Sequence, residues 1–223
     1  MDDTRAALRR WHVAPGPVVG RWALGSLAIS VGLLAAVLGV GALAQPDPTG
    51  IALPGLALPA DLQAVAHILL RNGLVLALHA MACVAGFIAG SSLPLQAEHH
   101  RGWYRTVHDH AGPLAIGFVV LATGFSLVTQ ALVLGHGAAT VSTQLQISEP
   151  VLVLTLLPHA LLELVALFLP LAAWISASRR DGWSELLAAT LVTCALAIPV
   201  LVASACVEVY AWPHVLRAVS PVV

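Results

Sequence analysis

Residues 157–174 read LPHALLELVALFLPLAAW, an apolar run interrupted by a histidine and a glutamate four positions apart. A hydrocarbon core about 30 Å thick is crossed by roughly 20 apolar residues in a helix. This stretch sits inside a run of that length, about residues 150 to 176. Four comparable runs flank it, at about 22 to 44, 68 to 90, 114 to 136 and 185 to 208. The pattern predicts an all-α polytopic membrane helix bundle with about five transmembrane helices.

Composition agrees with that reading. Of 223 residues, 59% are hydrophobic and 9% charged, with a mean hydropathy of +0.90, far from the balance of a soluble domain. A formal net charge of -1 leaves no basic surface for nucleic acid, and no phosphate-cradling Gly-rich loop is present. The cysteines Cys83, Cys194 and Cys206 lie in apolar runs without CxxC spacing, as free buried thiols do. Ala42-Leu43-Ala44 resembles a signal-peptidase site, but the apolar run before it is longer than a signal core and reads as a retained helix.

Arginine placement orients the spans. Arg5, Arg9, Arg10 and Arg21 precede the first; Arg101 and Arg105 follow the second; Arg179 and Arg180 follow the fourth. Segments 45–66 and 137–149 contain none. The positive-inside rule therefore predicts a cytoplasmic amino terminus and an outer carboxyl terminus. The chain divides into a cytoplasmic segment (1–21), a first span with an outer interfacial segment (22–64), a four-helix bundle (65–213) and a tail (214–223). On this division the first span is an added anchor. Tyr210, Trp212 and Trp103 read as interfacial anchors, and the polar stretch 97–112, AEHHRGWYRTVHDHAG, as a cytoplasmic loop.

Ionisable residues inside a bilayer are costly and usually face the protein interior. On the fourth span Thr155, His159 and Glu163 share one face. On the second, Asn72, His79, Cys83, Gly86 and Gly90 form a stripe whose small residues would admit another helix closely. Both helices run outside to inside, which predicts His79 and Glu163 at similar depth, able to meet if the helices are neighbours. The fifth span presents Thr190, Cys194, Ser204 and Glu208, and an Arg71–Glu208 ion pair is expected at the outer end.

These residues have a bland and a sharp reading. In the bland one, polar groups stitch helices together and His79 is a core histidine. In the sharp one, burial and mutual attraction act in opposite senses on His159 and Glu163, so either is poised for proton transfer, and His79 supplies a second base. Such a site could epimerise a hydrophobic peptide without a cofactor; a third reading is a proton or solute pathway. His99, His100, His108 and His110 have weak metal-ligand spacing, and no metal is expected. His-Glu-x-x-His and Gly-x-Ser-x-Gly patterns are absent.

The segment LPHALLELVALF (157–168) resembles the Pro-His-Gly-x-x-Glu segment of the stage II sporulation protein M family, on Pro158, His159 and Glu163. Further likeness lies in residues 68–90, with Asn72 and the glycines, in 111–124, and in ACVEVYAWP (205–213), with Glu208 and Pro213. The resemblance spans about residues 65 to 213. Ala160 replaces the family's glycine, Ala111 stands where asparagine is usual, and His79 where an aliphatic or amide side chain is usual. The resemblance implies a multi-pass protein of the bacterial cytoplasmic membrane that works with at least one protein partner. It would be a scaffold or subunit handling a cell-envelope or peptide substrate, as relatives found with circular bacteriocins are linked to peptide maturation or secretion.

Overall fold

The computed structural model describes residues 2–49, 53–92 and 103–223, without the side chains of 2, 92 and 103–111. The helices are α1 (Asp2–Val13), α2 (Gly16–Gly41), α3 (Leu62–Phe87), α4 (Trp103–Gln144), α5 (Glu149–Ser178), α6 (Leu186–Cys206) and α7 (Trp212–Val219). Single π-helical turns extend α3 through Ser92 and join α6 to α7. Five of the helical stretches are long and apolar enough to cross a membrane, so this is a multi-pass membrane protein in contact with lipid.

Local chemistry sets the helix starts. Pro occupies the first turn of α2 and of α5, where a missing N–H is harmless and φ is already helical. Asp61 caps α3 by accepting from the Ala64 amide at 2.9 Å. Residues 103–112, expected as loop, instead form the first turns of α4. Polarity there reports water rather than coil, and at 42 residues α4 is about 63 Å long, twice the hydrocarbon thickness.

α5 is the central helix. It packs on α2, α3 and α6, and residues 166–174 are buried all round, as a helix apolar on every face should be. α4 packs on α2 and α3 at the periphery. Its Leu114, Phe118, Leu121 and Phe125, spaced i, i+4, i+7, i+11, are 72–75% exposed and form a lipid-facing ridge. The first span, α2, is not an appended anchor. Its Leu33 and Val37 join the same core as Leu76, Leu167 and Leu201, and Ser26 donates to the Val165 carbonyl of α5.

The two ends are built differently. At the arginine-rich end, Arg10 pairs with Glu185 and ties α1 to the α5–α6 turn. At the opposite end the segment after α2 folds over the bundle mouth. The Asp47 amide donates to Thr140 at 3.0 Å, Arg217 reaches the Gly55 carbonyl, and Ser220 donates to the Leu145 carbonyl at 2.8 Å. Gly55 has φ +78°, and a β-carbon there would lie 2.5 Å from Pro213 Cγ, so both backbone and space require glycine. Trp212, expected as a belt anchor, is buried in this cap with Leu145, Leu152 and Leu216; Tyr210 is exposed as expected.

Candidate functional site

Two prolines lie inside α5, Pro158 and Pro170. Each removes the N–H that would have bonded the carbonyl four residues earlier, at Leu154 and Ala166, and the carbonyls that neighbouring helices reach are others of the same helix. Side chains from three neighbouring helices converge on that backbone. Ser26 of α2 reaches Val165 O, and His79 of α3 reaches Leu167 O at 3.1 Å. Cys83 of α3 donates to Pro170 O at 3.1 Å, and Ser204 of α6 lies 3.2 Å from His159 O.

His79 therefore belongs to this packing. A carbonyl only accepts, so Nδ1 carries the hydrogen, and Nε2 is buried with no partner among the described residues. The ring is fully buried and stands edge-on to Phe168, centroids 5.3 Å apart. The contacts of His79 with Leu167 and of Cys83 with Pro170 are offset by 88 and 87 residues, the signature of two parallel neighbouring helices. α3 and α5 are indeed neighbours, but in this register His79 lies about one helical turn beyond Glu163. No hydrogen bond or ion pair joins His79 to Glu163. The close approach expected at Gly86 and Gly90 is real, but indole rings fill it: β-carbons there would lie 2.7 Å from Trp174 Nε1 and 2.3 Å from Trp183 Cγ.

Glu163 has a different set of neighbours. Its Oε2 accepts from Ser204 Oγ at 2.8 Å. Asn72 of α3 faces it closely enough to interact, though among the described residues the amide nitrogen has no partner in hydrogen-bond geometry. The charges of Arg71 and Glu208 are felt there as well. Ser204 has one proton and two acceptors, and the shorter contact directs it to the carboxylate. Were Glu163 protonated, it could donate to Ser204, which would turn to His159 O. The pair thus accommodates either state of the carboxyl without moving a helix.

The expected Arg71–Glu208 ion pair is not made. Arg10–Glu185 is the one salt bridge among the described residues, and Arg71 and Glu208 influence each other only at longer range. Arg71 is exposed on the bundle flank, while Glu163 and Glu208 are half-buried. Glu208 projects from a π-helical turn, a feature frequent at functional sites. His159 is buried with its ring 5.8 Å from that of Trp212, and it makes no hydrogen bond to Glu163. Thr155 accepts from the Trp212 indole N–H at 3.1 Å, fixing the cap to α5.

Arg71, Asn72, Glu163, Ser204 and Glu208 therefore form a polar junction where α3, α5 and α6 meet. Ser204 was legible as part of a stripe on the fifth span; its contact with Glu163 depends on which helices adjoin. Among the described residues no three His, Cys, Asp or Glu side chains are grouped to hold a metal. The histidines 99 and 100 lie outside the described residues, and those at 108 and 110 lie in α4 where side chains are not described. No protein-family model, no curated protein and no solved structure matches this chain.

Proposed function

We propose that this chain is a membrane-embedded subunit or scaffold of a complex handling a peptide or cell-envelope substrate, seated in a bacterial cytoplasmic membrane with its amino terminus cytoplasmic. The junction of Arg71, Asn72, Glu163 and Glu208 is where a partner's membrane segment engages. One observation carries the reading: an arginine exposed on the flank of the bundle, about two and a half turns into α3, beside two half-buried carboxylates that it does not neutralise by contact. Ionisable groups at such a position are costly unless protein covers them. A partner segment presenting polar groups would complete the hydrogen bonding and exclude lipid. The likeness of Asn72, Pro158, His159, Glu163 and Glu208 to the stage II sporulation protein M pattern supports the same reading, since these residues adjoin one junction.

The test is purification of the tagged chain in mild detergent with identification of what accompanies it. Glu163→Gln keeps an oxygen that accepts from Ser204, so the fold should persist while the partner is lost. Arg71→Gln should act alike. Retention of the same partner by both variants would refute engagement at the junction. A partner retained beside a peptide that emerges unmodified would instead assign the junction a chemical role.

A further inference from the structure

An open-sided groove of about 710 Å³ lies between α1, the start of α2 and α6, lined by Trp11, Val18, Val19, Trp22 and Val192, with Arg9 and His12 at its rim. Its volume is in the range of ligand clefts, about 300–1,000 Å³. Trp11 and Trp22 meet edge-on with centroids 5.1 Å apart, giving a rigid floor. α1 is held in place from its other side: Ala7 is fully buried and Arg10 is engaged by Glu185. That leaves Arg9 and His12 exposed beside the groove, with Arg5 one turn earlier on the same face of α1.

We infer that this groove binds an anionic glycerophospholipid, with its phosphate on Arg9 and His12 and an acyl chain against Val18, Val19 and Trp22. The two halves of the argument are independent. An apolar trough floored by indoles at the arginine-rich end of the spans suits a chain coming from the hydrocarbon layer. Basic groups above it suit a negative headgroup and give a zwitterionic lipid no equal advantage. The proposal does not depend on the function proposed for the polar junction, which is built from other residues.

The full-length protein in detergent would be offered phosphatidylglycerol or phosphatidylcholine of equal chain length, and lipid retention read by native mass spectrometry. Phosphatidylglycerol should be retained preferentially, about fivefold for an engaged arginine. The double change Arg9→Gln with His12→Gln, both exposed, should bring the ratio near one. Arg179→Gln, on the same end but outside the groove, should leave it unchanged. Val19→Trp, which fills the trough, should lose both lipids. Equal retention of the two lipids by the wild type would overturn the proposal. So would an equal loss in Arg179→Gln, displacement by soluble glycerol 3-phosphate at the lipid's own concentration, or undiminished retention by Val19→Trp.

Discussion

Adding one methyl group at each of two glycines of α3 tests the packing of the bundle. At Gly86 a β-carbon would lie 2.7 Å from Trp174 Nε1, 2.8 Å from Leu186 Cδ1 and 2.9 Å from Trp174 Cδ1. Both neighbours are confined, Leu186 fully buried and Trp174 wedged against Trp183. Among the described residues Trp174 Nε1 has no hydrogen-bond partner to lose, so the cost is steric. At Gly73, on the same helix, nothing lies within 4 Å. Each Gly→Ala change gains up to about 1 kcal/mol of helix propensity, and only Gly86→Ala adds an overpacking cost of about 1–3 kcal/mol. Propensity cancels in the comparison, so Gly86→Ala should be less stable than Gly73→Ala by about 1–3 kcal/mol. Reversible unfolding in mixed micelles, followed by tryptophan fluorescence against dodecyl sulfate fraction, measures the difference. If the variants agree within about 0.5 kcal/mol, the usual scatter of independent sites, α3 does not pack on α5 through Trp174.

Three further outcomes are expected. His79→Leu should change stability by no more than about 1 kcal/mol, because the lost bond, about 0.6 kcal/mol on average in membranes, is offset by removal of a buried unpartnered nitrogen; a loss above about 2 kcal/mol in the same titration would show that Nε2 has a partner. Arg10→Gln should leave global stability within about 1 kcal/mol, the arginine being 63% exposed, yet speed amide exchange along α1, as should high salt in the wild type; unchanged exchange would mean that Ala7 and Trp11 alone hold the helix. The backbone N–H and hydroxyl of Thr49 donate to Asp47 at 2.8 and 2.7 Å and hold its carboxyl below the ordinary 3.8. The turn they form is therefore intact above that pH and loosens as pH falls through the lower folded value. Carboxyl NMR shifts of Asp47 should titrate below those of an unstructured aspartate, and titration at 3.8 would refute the bonding.

The span count and the shared face of Thr155, His159 and Glu163 were legible because each depends only on residues close in sequence. Apolar length sets a span, and helical period sets a face. The extrapolation failed where a register had to be carried further. Glu208 lies in the π-helical turn after α6 and stays in the junction with Ser204, but the expected pair with Arg71 is not made. Likewise the depth of His79 relative to Glu163 was judged by counting from helix ends. The actual register between α3 and α5 comes from Cys83 on Pro170 and Trp174 under Gly86, contacts that place His79 a turn away.

By itself the sequence determined a multi-pass helical chain with arginine on alternate connections, because bilayer thickness, backbone hydrogen bonding and loop charge act on each segment separately. Only the tertiary structure decided that α5 is the hub, that α2 belongs to the bundle, and that Glu163 meets Ser204 while His79 meets Leu167. Neighbour choice and register are decided by close packing of particular side chains between helices, and lipid is as apolar as any leucine, so hydrophobicity along the chain carries almost no information about which helix lies beside which.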